Sequence, residues 1–347
     1  VRYREIDVDG TPHELGRQLG EAARDEIRGF CEIALERAQR TVNISRDKTE
    51  SIANSCIDLA RAYDQDMIDE LEGTAEAADV TLVDLMVLQV RNQLTSEPAS
   101  GCTSLSCVGS AEGAVVAQNW DNDPSLDEFT IVLTRRPRGK PALTTLTQAG
   151  LIAYIGFNDA GIGACLNTLP APSREIGVPH YFTLRGIYEA TSLDGAVRAV
   201  RRAQRAIPAN IILATPDGPA DLEVTIDDVH VLRDEAAGRV THTNHCLQPD
   251  LAAINADFPE LIQSRPRKQR IDKLLEQADQ STSIEMIKRM LSDHENYPRS
   301  ICRHRNDDPD YGFWQTVFSV IIEPQARRMH VARGTPCDHP FEIYRMN

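Results

Sequence analysis

The sequence predicts an α+β fold on three observations. The first hundred residues carry helical periodicity, the pattern changes to that of strands at Cys102, and later strands and helices come in blocks rather than in βαβ alternation. Thr11-Pro12-His13-Glu14 reads as a capping box with proline in the first turn, and Leu15, Leu19, Ala23, Ile27, Phe30 and Leu35 follow as one apolar stripe. The spacing predicts a single long amphipathic helix there. Further helices are expected at about 48–64 and 66–78, and Thr81-Leu82-Val83-Asp84 starts another toward Leu94. Ser96-Glu97-Pro98-Ala99-Ser100-Gly101 then breaks the pattern as a loop would.

From Cys102 the expected strands are 103–108, 114–119, 129–134, 142–147, 152–155 and 162–166, separated by glycine, proline and aspartate as in an antiparallel meander. Helices follow at 181–190 and 193–204, then strands at 209–214, 221–226, 230–232 and 240–243. A helical region spans 261–291, and a closing hairpin pairs 316–322 with 328–332 across Glu323-Pro324-Gln325-Ala326. No internal repeat or low-complexity segment interrupts this order.

Composition narrows the function classes. A formal charge of −15 opposes binding to nucleic acid or anionic membranes, because such affinity is built from phosphate neutralisation by Lys and Arg. No apolar run approaches the ~18 residues that span a bilayer. Eight scattered cysteines without a CxxC pair read as free thiols of a reducing cytoplasm. His242, His245, Cys246, Cys302 and His304 offer zinc donors, but neither CxxC nor HExxH spacing links them, so the sequence assigns no metal and no cofactor.

Ser100-Gly101-Cys102-Thr103-Ser104 marks where the period changes. A cysteine heading the first strand, behind a residue without a side chain, sits where a chain could cut itself and expose a new N-terminus. The freed α-amine titrates near ~7.7 to 8.0, close enough to working pH to take the thiol proton. The plain alternative is a buried core cysteine.

Gly101-Cys102-Thr103-Ser104, Gln118-Asn119-Trp120-Asp121, Gln148-Ala149-Gly150 and Gly156-Phe157-Asn158 leading to Gly161-Ile162-Gly163 together resemble the acyl-CoA:6-aminopenicillanic-acid acyltransferase (isopenicillin N acyltransferase) family of N-terminal nucleophile (Ntn) hydrolases. Gly10 to Gly16 resembles that family's opening helix, and Gly334-Thr335-Pro336-Cys337 with Pro340 and Tyr344 its closing segment. The resemblance implies a four-layer α-β-β-α sandwich with Cys102 starting a central strand. It further implies a zymogen cut between Gly101 and Cys102 into residues 1–101, a helical segment, and residues 102–347, the catalytic segment, folded as one unit.

On this reading Cys102 is the nucleophile of an amidohydrolase or acyltransferase. The substrate is a small N-acylated amine or amino acid, and the acyl group passes through a Cys102 thioester to water or an amine. By resemblance Asp121 holds the new ammonium or orients the thiol, although Asn122, Asp123 and Pro124 also suit a turn. Asn244, after the strand at 240–243, is the oxyanion donor, joined by a backbone N–H near Trp120 or Asp121, with Asn167 as its rival. Arg303 could pin Asp121 or a substrate carboxylate with its planar fork, or belong to a solvated basic loop with Arg299 and Arg305.

Three alternatives stay open. Arg135-Arg136 or the 299–305 arginines could recruit a coenzyme A thioester for acyl transfer. A papain-like pair could use His242 or His245 as base without any chain cleavage. A catalytically silent binding protein would keep the fold alone. A homo-oligomer is compatible with every one of these.

Overall fold

The computed structural model describes residues 2–41, 44–94, 101–109, 113–258, 260–278 and 282–347, the side chains of 37–41 excepted. Of the expected cleavage linker, residues 96–101, only Gly101 is described, as the first residue of a strand; residues 96–100 lie outside the described residues.

The elements run β1 (Arg4–Gly10), α1 (Pro12–Ala22), α2 (Arg24–Thr41), α3 (Arg46–Tyr63), α4 (Gln65–Ala78), α5 (Leu82–Val90), β2 (Gly101–Val108), β3 (Ala114–Asn122), β4 (Thr130–Pro137), β5 (Leu143–Gln148), β6 (Ile155–Asn158) and β7 (Gly163–Asn167). Then come α6 (His180–Tyr188), α7 (Leu193–Arg201), β8 (Ala209–Thr215), β9 (Gly218–Val224), β10 (Val229–Leu232), β11 (Arg239–His242), a short α8 (Ile254–Asp257), α9 (Ser264–Glu276), α10 (Ile284–Leu291), β12 (Gln315–Glu323), β13 (Arg328–Arg333) and β14 (Phe341–Arg345).

The strands form two sheets, one in the order β1-β4-β5-β6-β7-β8-β9-β10 and one in the order β11-β2-β3-β12-β13-β14. Alternate residues of β2 and β3 serve two different layers, which is why all nine residues of β3 are buried. One face, with Leu105, Cys107, Val115 and Ala117, packs on Ile271, Leu275, Ile287 and Met290 of α9 and α10. The opposite face, with Cys102, Val116 and Trp120, packs with Ala164 and Leu166 of β7 into the larger core. Helices cover the far side of the eight-stranded sheet. The result is the expected α-β-β-α sandwich of an α+β protein.

Several expectations need correcting. The chain opens on a strand, β1, which lies parallel to β4 in the register Arg4↔Ile131 to Gly10↔Pro137. Only Ile6, Val8 and Gly10 of it are buried, too short an alternation to stand out beside the helical stripe. That stripe is buried from Leu15 to Phe30, with Leu35 half-buried, but it belongs to two helices that part at Ala23 (φ −122°, ψ 32°). The capping box at Thr11 and Glu14 is present, as is one between Thr81 and Asp84. The meander is split: β2 and β3 pair with each other, whereas β3 and β4 lie in different sheets. The region 261–291 holds two helices, and a third strand, β14, joins the closing hairpin.

The first hundred residues are built into the rest. A Cβ at Gly16 would lie 1.8 Å from the Glu70 carbonyl oxygen, so α1 and α4 approach as only glycine permits. Glu70 is buried and receives Arg135 of β4 and Arg185 of α6 (2.8 Å to the latter), which ties α4 to the sheet and to the helix layer over it. Arg135 is therefore consumed inside the fold and cannot recruit a coenzyme A phosphate.

Candidate active site

Cys102 lies at the start of a central strand, opposite Trp120, with Gly101 opposite Asp121. Cross-strand partners share a face, so the thiol and Trp120 point between the sheets while Asp121 points to the α9 side. The Cys102 Sγ is 3.6 Å from the Leu166 carbonyl oxygen of β7. Trp120 stacks on Phe318 with ring centroids 4.9 Å apart and meets Tyr154 edge-on at 6.2 Å, forming an apolar wall beside the thiol. A Cβ at Gly101 would fall 1.7 Å from Ile262 Cδ1, so the residue before Cys102 has to be small here.

Asn244 follows β11 in a turn held by its own N–H on Ser264 Oγ at 2.8 Å. Its Oδ1 accepts the Cys102 N–H at 3.0 Å, and its Nδ2 donates to the Thr168 carbonyl at 2.9 Å. In this continuous chain the Cys102 nitrogen is a peptide N–H; cleavage would make it the α-amine. Asn167 is engaged differently: both of its N–H groups are taken, by Ser104 Oγ at 2.8 Å and the Thr243 carbonyl at 2.9 Å, and it ties the two sheets together.

Arg267, on α9, is the residue that sequence reasoning missed. It is buried, and all five of its N–H donors are used. Nε binds the Ile262 carbonyl at 2.9 Å, Nη1 the Cys102 carbonyl and Thr103 Oγ1, and Nη2 Asn244 Oδ1 at 2.8 Å and the Leu261 carbonyl at 3.5 Å. It fastens both the Cys102 backbone and the Asn244 amide. Two left-handed residues, Ile262 (φ 35°) and Gln263 (φ 54°), make the turn that aims these carbonyls. A β-branched residue at such a φ is strained, and here the strain packs Ile262 against Gly101.

Asp121 is fully buried. Its Oδ1 accepts Thr316 Oγ1 at 2.7 Å, and its Oδ2 has no hydrogen-bond partner. Burial holds the carboxyl up at about 6, against the pull of Arg267, the Thr316 hydroxyl and Arg303. Burial likewise pushes Arg267 down to about 10, opposed by Asp121. A buried carboxylate with an unused oxygen next to the expected cleavage point is unusual in a finished core, where buried polar atoms are normally paired.

Arg303 is buried as well, which removes the solvated-loop alternative. Its fork does not pin Asp121: it binds Gln263 Oε1 at 2.9 Å and the Tyr311 carbonyl at 3.4 Å, with Nε unpartnered. Its connection to Asp121 runs through the backbone. The Arg303 N–H donates to Thr316 Oγ1 at 3.0 Å, and that hydroxyl donates on to Asp121.

His242 and His245 are both hydrogen-bonded to other parts of the fold. Both ring nitrogens of His242 are engaged, by the Thr243 carbonyl at 2.9 Å and by Glu223 at 2.8 Å. Against burial, which lowers it, Asp221 and Glu223 raise the pKa of His242. The Nδ1 of His245 binds Ser264 Oγ at 2.7 Å, and burial lowers that imidazole to about 4.

A carboxyl near 6 has a consequence in solution. If charged Asp121 is what the processing step requires, self-cleavage should slow as pH falls through about 6, since the raised value means protonation sets in there. In Asp121→Asn the residual rate should lose this acid limb. A wild-type rate flat between pH 5 and 7, followed by denaturing electrophoresis, would show that the charge on Asp121 is irrelevant.

A family model described as "Acyl-coenzyme A:6-aminopenicillanic acid acyl-transferase" matches residues 108–338. The matched stretch takes in Asp121, Asn244, Arg267 and Arg303 and starts past Cys102. The 40 kDa form of acyl-coenzyme A:6-aminopenicillanic-acid-acyltransferase from Emericella nidulans is 29% identical over 356 residues, spanning 98% of this chain and 95% of that protein. Two solved structures are similar at lower levels. Penicillin V acylase from Agrobacterium tumefaciens shares 12% identity over 71% of this chain and 86% of its own, with a TM-score of 0.49. A variant of conjugated bile acid hydrolase from Clostridium perfringens shares 11% over 71% and 97%, with a TM-score of 0.48. No helix of the described residues is long and apolar enough to cross a membrane. On the extent of the family match, the chain belongs to the acyl-coenzyme A:6-aminopenicillanic acid acyl-transferase family of enzymes, which act on amide bonds.

Proposed function

We propose that this enzyme cuts itself between Gly101 and Cys102 and then uses Cys102 to cleave or transfer the acyl group of a small N-acylated amine or amino acid. The observation that carries the reading is the grip on Cys102: its nitrogen lies on Asn244 Oδ1 and its carbonyl on Arg267.

In processing, the Cys102 sulfur attacks the Gly101 carbonyl. The C–N bond breaks, a thioester forms at sulfur, the nitrogen leaves as a free amine, and water hydrolyses the thioester. The charged neighbours then tune that amine. Arg267 and Arg303 disfavour its protonated form and Asp121 favours it, so the amine can accept the thiol proton and return it to a leaving amine. Asn244 Nδ2 has two N–H groups, of which one serves Thr168; the second is the donor an oxyanion would use.

The fragments 1–101 and 102–347 remain one unit on this reading, supported by the pairing of β1 with β4 and by an apolar core drawn from both. Hydrolysis is favoured over coenzyme A-dependent transfer by the charge of −15 and by the burial of Arg135 and Arg303. The acyl-coenzyme A relative supplies the competing reading.

One experiment separates the outcomes. The purified protein is incubated with a panel of N-acyl amino acids, β-lactams and acyl-CoA esters, passed over size exclusion, and analysed by denaturing mass spectrometry. The expected result is a single native peak containing both fragments, with transient acyl mass on the fragment that begins at Cys102. Turnover without acyl mass on that fragment, or fragments that elute apart, would contradict the reading. Fold without turnover on any member would favour the silent binding protein.

A further inference from the structure

Outside the candidate active site, four metal-ligating side chains converge at the end of the six-stranded sheet. His294 follows α10, Cys302 and His304 lie in the segment before β12, and Cys337 lies between β13 and β14. One donor atom from each falls within 4.8 Å of all the others. The Cys302 and Cys337 sulfurs are 3.6 Å apart, each is 3.5 Å from His304 Nε2, and His304 Nε2 is 3.3 Å from His294 Nε2.

These spacings have a common explanation. A tetrahedral ion with Zn–S of about 2.3 Å and Zn–N of about 2.05 Å puts its ligands about 3.8 Å apart for S···S, about 3.6 Å for S···N and about 3.3 Å for N···N. The four separations above follow that order and nearly those values, and the His294 donor lies within 4.8 Å of both sulfurs, close enough for a small rotation of its exposed side chain to complete the set. A disulfide does not, since its sulfurs lie about 2.05 Å apart. Proton sharing does not suffice either. His304 Nε2 faces two thiols and a second imidazole at once, whereas a single ring nitrogen carries one proton or one lone pair.

We propose that His294, Cys302, His304 and Cys337 hold a zinc ion. Two thiolates and two imidazoles in tetrahedral array suit zinc over oxygen-seeking cations, and four protein ligands make the site structural because no coordination position is left for substrate. Cys302 is buried and His304 half-buried, while His294 stands on an exposed turn from which it can swing onto the ion. The ring of Tyr297, itself 62% exposed, packs against both histidines at centroid distances of 5.6 and 5.1 Å and shields their outer side.

The position of this site gives it a task. Its two central ligands flank Arg303, so Cys302 and His304 face the ion while Arg303 turns inward. The same residue's N–H starts the two-bond path through Thr316 to Asp121. The ion fastens the segment that orients Asp121, and Cys302 and His304 are positioning residues in that sense. This consequence rests on the proposed self-cleavage; the metal site does not.

Of the five zinc donors considered from sequence, Cys302 and His304 do meet, whereas His242 and His245 are bound elsewhere in the fold. The true spacing, one residue between Cys302 and His304 with the other ligands far along the chain, matches no local motif.

The test uses the full-length protein purified without chelator. Elemental analysis should find on the order of one zinc per chain, with Cys302 and Cys337 resisting alkylation until the metal is removed. Protein stripped of metal should take up added Zn²⁺ to the same level. Cys337→Ser, at the exposed ligand, should drop the zinc content to about a tenth or less of wild type without requiring Cys302 to be touched. Stripping should also slow self-cleavage and restoring Zn²⁺ should rescue it. Protein that neither contains nor takes up zinc, with the two thiols disulfide-linked or freely alkylated in the native state, would overturn the site. Stoichiometric zinc whose removal leaves the cleavage rate unchanged would overturn only the link to Asp121.

Discussion

Arg267→Met is expected to abolish self-cleavage and to cost the fold about 3–5 kcal/mol, the penalty for removing one partner from a buried charged network. Methionine fills similar space, so the loss is electrostatic rather than a cavity. Asn244 Oδ1, the Cys102 carbonyl and Thr103 Oγ1 lose the guanidinium together, leaving Asn244 Oδ1 with the Cys102 N–H alone, and the nearby buried Asp121 loses its main compensating charge. Arg267→Lys should recover part of the stability but little of the cleavage. A lysine returns a point charge, yet it cannot span from Cys102 to Leu261 as the fork does. Stability is best measured by urea unfolding in a Cys102→Ala background, where the chain stays single and unfolding is not confounded by fragment dissociation. A change within about 0.5 kcal/mol, the range of ordinary surface substitutions, together with normal cleavage of the Cys102 form, would show that Arg267 is not the clamp.

Asn244→Ala should act at two stages. Maturation should slow, because the Cys102 nitrogen loses the acceptor that holds it. In the portion that has been cleaved, kcat should fall by about two to three orders of magnitude with KM nearly unchanged, because an oxyanion donor acts mainly in the transition state. The assay therefore has to be made on protein shown by mass to be cut. A cut Asn244→Ala protein with wild-type kcat would remove Asn244 from the catalytic set. Asn167 would not replace it easily, since both of its N–H groups already serve the sheet-to-sheet tie.

Much of the fold was legible because strong periodicity survives burial. The capping boxes at Thr11 and Thr81 start helices where the sequence predicts, and the change of period at Cys102 coincides with the start of β2. What was not legible has physical reasons. β1 is a lone parallel strand whose half-buried alternation is too short to compete with the helix that follows. Two elements with one continuous apolar stripe, α1 and α2, look like one helix in any pattern, because the break at Ala23 keeps the stripe in phase.

The site divided along similar lines. Cys102, Asp121, Asn244 and Arg303 are all buried, but in two hydrogen-bonded groups: Cys102 with Asn244 and Arg267, and Arg303 with Asp121 through Thr316 rather than by a direct pair. Arg267 was hidden among Arg265, Lys268 and Arg270, where it reads as surface charge. Its signal was there in the spacing: Ser264, Arg267, Ile271 and Leu275 are the buried residues of α9, so the arginine occupies a core position of an amphipathic helix. The grouping of His294 with Cys337 had no comparable signal, because sheet topology alone brings those segments together.

The most direct measurement is the intact mass of purified protein under denaturing conditions, for the native sequence and for Cys102→Ala. The account predicts two species for the native sequence, one ending at Gly101 and one beginning at Cys102, and a single full-length chain for the variant. A native sequence that remains one chain while it turns over an amide substrate would contradict it, since the nucleophile's own amine would then never be freed.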